Sequence, residues 1–178
     1  MEWELQFEIY AEGRAVRSEP VPVLVVQPIR PAREILEGVV ASVLETLGFE
    51  ARANVKRQTV SGFPIEVDVW AEGEDLTVYV SCKNREEPIG ADVIHQEAGR
   101  VSSLREEPDL KVIVAPSFTE NAKAAARAKG FELVELGMKV TGENAHEAFG
   151  ILRERFEQLV ELAKLSKRAR RMVEEGLL

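Results

Sequence analysis

Cysteine and histidine are scarce in this chain, and their scarcity excludes several kinds of site. The 178 residues include one cysteine, Cys82, and two widely separated histidines, His95 and His146. A single cysteine excludes an intramolecular disulfide and a cysteine-rich zinc site, and it makes the cytoplasm the expected compartment. The separated histidines argue against a histidine-based metal site. Any metal is therefore expected to be a hard, oxygen-bound cation.

Long apolar runs and a basic leader are also missing. No run approaches the ~18 apolar residues of a membrane span, and the acidic start Met1-Glu2-Trp3-Glu4 lacks the basic region of a secretory signal. We therefore expect no membrane partner. Hydrophobic residues make up 45% of the chain and charged residues 30%, a balance typical of a folded globule with a well-buried core.

The net charge of -8 argues against a general nucleic-acid coat protein, because binding to phosphates depends mainly on Lys and Arg. The cations are nevertheless clustered, at residues 52–57 and 164–171. Clustered cations matter more than the total charge for local binding, so a nuclease is not excluded.

The first 28 residues predict a β-hairpin. Apolar and polar residues alternate over 3–9, Glu12-Gly13 forms a turn, and residues 21–26 form a second apolar strand before Gln27-Pro28. We interpret this hairpin as an extension, residues 1–28, in front of a main domain at residues 29–140. Residues 141–178 form a helical extension behind it.

The main domain has the predicted order αβββαβαβ, an α/β fold with a mixed sheet flanked by helices. The first helix begins at Pro31 and ends at Gly48. The capping-box spacing of Ser117 and Glu120 is expected to open the third helix, and Gly130 to close it. The expected spans are strands at 50–60, 63–71, 75–83, 110–115 and 131–136, and helices at 90–105 and 143–175.

Apolar residues recur by threes and fours in the last helix. They are Phe149, Leu152, Phe156, Leu159 and Ala163. This stripe packs either on the main domain or on a partner helix, and the second alternative predicts a homodimer.

The segment 62–83 carries the most chemical information. It predicts two strands joined by a tight acidic turn, with Asp68 on the first strand and Lys83 at the end of the second. An acid and a lysine on neighbouring strands can bind a divalent metal and assist hydrolysis of a phosphodiester. Asp68 between two valines is costly to bury without a partner, which favours a functional role over a solvated one.

Five segments in order resemble a known family. They are L-E-G-V-V-A-S-V-L-E-T-L-G-F in the first helix, I-E-V-D-V and V-S-C-K-N on the strands, I-H-Q-E in the next helix, and S-F-T-E-N-A-K-A-A-A-R-A-K-G-F-E-L-V-E-L near the end. Together they resemble the restriction-endonuclease-like PD-(D/E)XK nucleases, especially the Mrr-like and Holliday-junction-resolvase-like branches. The resemblance covers residues 30–140 and implies a Mg²⁺- or Mn²⁺-dependent endonuclease acting on duplex or branched DNA.

One residue departs from the family pattern. Ser81 stands where the family has the carboxylate of Glu-x-Lys. In one subgroup of restriction enzymes that acid has migrated to the following helix and leaves Ser-x-Lys on the strand. Glu97 lies about where a migrated acid would sit. The alternative is loss of the acid, which would leave a degenerate module that binds nucleic acid or a protein partner.

The resemblance also implies roles for other residues. Asp68 and the backbone carbonyl of Cys82 would bind the metal, together with Glu97 if the acid has migrated. Lys83 would orient the attacking water. Glu37 corresponds to the family's helical acid, and Glu66 is a rival acid on the strand of Asp68. The residues expected to contact DNA are Arg52, Lys56, Arg57, Gln96 and Arg100. An unrelated Rossmann-like enzyme is disfavoured because no glycine-rich strand-to-helix turn is present.

Overall fold

The structure is a computed structural model that describes residues 35–175 and four short N-terminal strands, β1–β4. These strands are Trp3–Leu5, Glu8–Ala11, Arg14–Arg17 and Val21–Val23. β1 pairs with β4 and β2 with β3, both antiparallel, so the predicted hairpin is two nested strand pairs. The strand β3 was not predicted. Residues 24–26 of the predicted second strand and the predicted helix start at Pro31 lie outside the described residues.

A mixed five-stranded sheet in the order β5-β6-β7-β8-β9 forms the centre of the main domain. β5, β6 and β7 pair antiparallel, whereas β7, β8 and β9 pair parallel. The predicted order αβββαβαβ is confirmed. The strands are Glu50–Gln58, Pro64–Glu72, Thr77–Cys82, Leu110–Ala115 and Glu132–Glu135, and the helices α1–α4 are Ile35–Thr46, Ala91–Ser103, Glu120–Lys129 and Ala145–Glu174.

The two faces of the sheet bury separate apolar cores. The α1/α4 core contains residues of those two helices with Val78, Val80 and Cys82 of β7. The α2/α3 core lies on the other face and contains Tyr79 together with residues of α2 and α3. Because side chains alternate along a strand, β7 contributes to both cores.

The apolar stripe of α4 is used within the chain. Leu152 and Phe156 are fully buried in the α1/α4 core, and Phe149, Leu159 and Ala163 pack against it. A homodimer through this helix therefore has to use other residues. The exposed large apolar side chains of α4 are Leu162, Leu165 and Val173. Within the described ranges, none of the helices has the length and apolar character of a membrane span.

The start of α3 differs from the prediction. Thr119, not Ser117, is the N-cap, and its side-chain oxygen accepts a hydrogen bond of 3.1 Å from the amide of Ala122. The prediction was wrong because Ser-x-x-Glu spacing also fits a serine that lies two residues before the cap. Gly130 ends the helix, as predicted, and it adopts the left-handed conformation with φ of 69°.

At Asp68, the β5–β6 hairpin twists, so that the same side of its strands packs against one core before this point and against the other core beyond it. Asn54, opposite Asp68 in the register, has φ of 52°, which asparagine tolerates better than most residues. On β5, Ala53 packs against the α1/α4 core but Val55 against the α2/α3 core. On β6, Val69 belongs to the α1/α4 core and Val67 to the α2/α3 core. The hairpin beyond Asp68 therefore turns towards α2.

Candidate active site

Strand pairing brings Asp68 and Lys83 together. β6 and β7 are antiparallel, and the pair Val69 and Val80 places Asp68 beside Ser81 at the next position. On β7, Val78, Val80 and Cys82 face the α1/α4 core, so Tyr79 and Ser81 face the other side of the sheet. Lys83, just past the end of the strand, continues this second face. Three polar side chains of one strand face thus line up towards α2.

The ammonium of Lys83 contacts two carboxylates. Its Nζ lies 3.5 Å from Oδ2 of Asp68 and 3.0 Å from Oε1 of Glu97. Since both distances meet at one nitrogen, the two carboxylate oxygens cannot be farther apart than the sum of these distances. The structure therefore brings together an acid from β6, a lysine from β7 and an acid from α2, which we call the Asp68–Lys83–Glu97 cluster.

Ser81 and Cys82 orient the Asp68 carboxylate. The hydroxyl of Ser81 donates a hydrogen bond of 3.1 Å to Oδ2 of Asp68, and the Cys82 amide donates one of 2.8 Å to the same oxygen. Ser81 is fully buried. The residue that replaces the family's second carboxylate thus holds the first carboxylate in place.

Glu97 is a buried acid on the inner side of α2, with only 2% of its surface exposed. Burial alone would raise its pKa. The charge of Lys83, hydrogen bonds from Tyr79 and Lys83, and the charge of Arg100 outweigh burial, so the pKa of Glu97 lies below its ordinary 4.5. Glu97 is therefore an ionised carboxylate at neutral pH.

Tyr79 belongs to the site and was missed in the sequence. Its hydroxyl donates a hydrogen bond of 2.5 Å to Oε2 of Glu97. Burial, and then the charge of Glu97, raise the pKa of Tyr79 well above its usual range, so the hydroxyl remains a donor. The signal was present in the sequence, because Tyr79, Ser81 and Lys83 alternate on one strand face.

The depressed pKa of Glu97 predicts a specific dependence of stability on pH. Stabilisation by ionised Glu97 is complete above its unfolded pKa of about 4.5 and is lost as the pH falls through the lower folded pKa. We expect the difference in the free energy of unfolding between wild type and Glu97→Gln to be constant between pH 7 and 5. Below pH 5 this difference should decrease. Urea unfolding at several pH values measures this difference. Glu157→Gln, an exposed change on α4, is the control, and a difference that grows on acidification would contradict the prediction.

The remaining predicted metal-site residues lie close by. Cys82 is buried, and burial, followed by the charges of Asp68 and Glu37, raises the pKa of its thiol. The thiol is therefore protonated and unreactive. The charge of Glu37 acts on the Cys82 thiol, whose side chain lies in the α1/α4 core, so this α1 acid lies within electrostatic range of Cys82.

The rival acid Glu66 is exposed, whereas Asp68 is half-buried in the site. The backbone oxygen of Glu66 accepts a hydrogen bond from the guanidinium of Arg100. The Nε atom of Arg100 lies 3.7 Å from Oε2 of Glu97, so Arg100 connects β6 to the buried acid. Gln96 is exposed at the neighbouring position of α2.

The predicted DNA-contacting cations of β5 lie in different environments. Arg52 forms an ion pair with Glu50, and Arg57 forms ion pairs with Glu72 and Glu106. Arg57 also lies over the ring of Trp70, 4.2 Å from its centroid. Lys56 is exposed. Of these three cations, Lys56 is the one for which the described residues provide no ion pair.

The donor chemistry of the site fits a hard divalent cation. Among the residues that the structure describes, no group of three or more His, Cys, Asp or Glu side chains is arranged to hold a metal. Mg²⁺, however, is usually bound through one or two carboxylates and completes its shell with water and substrate phosphate. The carboxylates of Asp68 and Glu97, which converge on one ammonium, meet that requirement.

Solved structures are similar to this chain over part of their length. AF1548, a protein of unknown function, is 27% identical with a TM-score of 0.50, over 56% of each chain. VC1899 from Vibrio cholerae is 18% identical with a TM-score of 0.50, over 70% of this chain and 34% of that protein. The chain thus spans about half of the first protein and a third of the second. A repair endonuclease from Pyrococcus abyssi is 20% identical with a TM-score of 0.48, over 78% of this chain and 66% of that one.

No curated protein matches the chain significantly. Residues 32–137, more than half of the chain, match the restriction endonuclease family Mrr_cat. This range contains α1, the whole five-stranded sheet and the Asp68–Lys83–Glu97 cluster. The chain therefore belongs to the Mrr_cat restriction endonuclease family, of the PD-(D/E)XK type.

Proposed function

We propose that this chain is a metal-dependent DNA endonuclease that hydrolyses phosphodiester bonds at the Asp68–Lys83–Glu97 cluster. The observation that carries the proposal is the position of the Lys83 ammonium between the carboxylates of Asp68 and Glu97. Two acids and one lysine around a half-buried point are the groups that metal-assisted phosphodiester hydrolysis needs.

The metal ligands are the carboxylates of Asp68 and Glu97 and the backbone carbonyl of Cys82. Mg²⁺ or Mn²⁺ at this point supplies polarisation of the phosphate and a lower pKa of the attacking water. Glu97 acts here as the migrated acid, because its carboxylate is buried, ionised and directed at the same ammonium as Asp68. Ser81 and Tyr79 each hold one carboxylate by a hydrogen bond.

Lys83 orients the attacking water and stabilises the negative charge that develops on the phosphate in the transition state. Both neighbouring carboxylates keep the ammonium in place before substrate arrives, so little reorganisation is needed. Glu37, in the first turn of α1, is a further candidate acid.

The partner is duplex or branched DNA. Gln96 and Arg100 lie next to Glu97 on α2 and are suited to contact a phosphate near the scissile bond. Arg52, Lys56 and Arg57 are the candidate contacts on β5, and Lys56 is the most available of them. A homodimer and a cytoplasmic location remain predictions.

One observation favours a second candidate, a module that binds DNA without cleaving it. Ser81 replaces the usual acid, and its hydroxyl is bonded to Asp68. If Glu97 is only a structural partner of Lys83 and Tyr79, the site lacks one metal ligand.

Metal titration tests which candidate holds. We expect Mn²⁺ or Mg²⁺ to bind wild type with millimolar or tighter affinity and Asp68→Asn to lose this binding, because the variant removes a charged ligand. Isothermal titration calorimetry measures both proteins. Asp75→Asn, an exposed change in the β6–β7 turn, is the matched control. Metal binding that survives in Asp68→Asn would place the metal elsewhere and contradict the proposed site.

A further inference from the structure

The tip of the β5–β6 hairpin, residues 59–63, exposes two large apolar side chains. Phe63 is 76% exposed and Val60 is 72% exposed. Phe63 is the aromatic member of the exposed large apolar side chains among the described residues. Gly62, with φ of 87°, supplies the conformation that the turn requires, so the turn itself requires neither Val60 nor Phe63.

Hydrogen bonds hold the tip rigidly. The Thr59 hydroxyl donates a 2.6 Å bond to the carbonyl of Phe63, and the Gly62 amide donates one of 3.0 Å to the carbonyl of Thr59. The amide of Val60 donates to the carbonyl of Ser103 at the end of α2, at 2.9 Å. Thr59 also forms an isolated β-bridge with Leu104. Val60 and Phe63 therefore project from a turn that hydrogen bonds hold against the end of α2.

These hydrogen bonds to the end of α2 connect the tip to the helix that carries Glu97. The tip contacts Ser103 at the end of α2, and Glu97 lies on the same helix six residues earlier, about 9 Å along the axis. Arg100, between them, contacts Glu97 with its Nε atom and the β6 backbone at Glu66 with its Nη2 atom. The tip is thus connected directly to α2 and β6, the two elements that carry Glu97 and Asp68.

Basic residues continue the surface past the tip. Two clefts of about 690 and 210 Å³ share Leu104 and Arg105 next to the tip. The cationic side chains of the two clefts are Lys56, Arg57, Arg105, Lys111 and Lys129, and their acids are Glu106 and Glu107. Arg57 and Glu106 neutralise each other as an ion pair. No ion pair joins Arg105, Lys111 or Lys129 to another described residue, so the clefts carry net positive charge.

We propose that the hairpin tip is a base-contacting wedge, in which Phe63 stacks on a base of the DNA substrate and Val60 packs beside it. The neighbouring clefts receive the DNA backbone through Arg105, Lys111 and Lys129. This assignment rests on the proposed function as far as the partner is concerned. Apolar side chains on a rigid support insert between bases, and aromatic rings stack on bases of any sequence, so the wedge recognises exposed or unstacked bases.

The charge around the tip favours DNA over a second copy of the chain. The net charge of the chain is -8, whereas the clefts beside the tip are positive. Two apolar side chains on a narrow turn also bury far less than the ~1,000 Å² or more that a stable protein interface needs. The polyanionic partner therefore fits this surface better.

Phe63→Ala tests the wedge. In the Lys83→Ala background, which keeps DNA uncut, we expect Phe63→Ala to weaken binding of branched and mismatched duplex DNA about tenfold, as measured by fluorescence anisotropy. A 2-aminopurine base in the DNA should change its fluorescence on binding when Phe63 is present. The change should be lost in Phe63→Ala and retained in Phe63→Trp. Leu162→Ala, which removes an exposed apolar side chain on α4, is the control and should bind as the background protein does.

Unchanged affinity together with an unchanged 2-aminopurine signal in Phe63→Ala would overturn the wedge. A dimer in sedimentation that Phe63→Ala converts to a monomer would also overturn it, because the tip would then be an interface between copies. The two proposals fail separately. If wild type cleaves DNA but Phe63→Ala does not alter DNA binding, only the wedge proposal is rejected. If Phe63→Ala weakens DNA binding but wild type never cleaves, only the nuclease proposal is rejected.

Discussion

Lys83→Ala should reduce cleavage of duplex and branched DNA by at least about 100-fold, the loss typical for removal of a group that stabilises transition-state charge. The ammonium lies between both site carboxylates, so no other described cation can take its place without rearrangement. Binding of DNA should barely change, since one phosphate contact among several contributes little to total affinity. Cleavage with Mg²⁺ or Mn²⁺ and anisotropy on the same DNA measure the two effects.

Lys123→Ala is the matched control for this prediction. Lys123 forms its ion pairs with Glu120 and Glu135 and makes no contact with the Asp68–Lys83–Glu97 cluster. The Lys123→Ala variant should cleave DNA as wild type does. If wild type and Lys83→Ala are equally inactive on all DNA forms with either metal, yet wild type binds DNA, the nuclease proposal fails and the binding module remains.

Glu97→Gln should also lose at least about 100-fold in cleavage, because it removes the charge of a metal ligand while keeping the shape and most of the hydrogen bonds of the side chain. Ser81→Glu alone should be neutral or harmful. Its new carboxylate enters a fully buried position beside Asp68 and repels both existing acids. Combined with Glu97→Gln, however, Ser81→Glu returns the acid to the strand and should recover part of the lost activity. Single-turnover cleavage rates of the four proteins test this exchange.

The exchange distinguishes a migrated acid from a lost one. Wild-type cleavage by Glu97→Gln would show that Glu97 is no metal ligand. Activity that appears only in Ser81→Glu, with wild type inactive, would identify the site as degenerate and Ser81 as the missing ligand position. Circular dichroism must show that each variant is folded, since Glu97 also holds Tyr79 and Lys83.

The order of elements was predictable from the sequence because it depends on short-range patterns. A tight acidic turn between two strand-forming runs identified the strands of Asp68 and Lys83. The capping-box spacing together with Gly130 identified the ends of α3 within a few residues. The choice of N-cap was not predictable in the same way. Ser117 and Thr119 are both good caps, and the hydrogen bond from Ala122 decides between them.

The family and the pairing of Asp68 with Lys83 were determined by the sequence alone, because both follow from motif order and strand register. Only the tertiary structure decided the position of Glu97, since a helix flank can face solvent or the sheet, and packing of α2 buries this acid against Tyr79 and Lys83. It also decided that the α4 stripe packs on its own domain. In both cases the sequence specifies which residues share a face, but the partner of that face depends on contacts between distant segments.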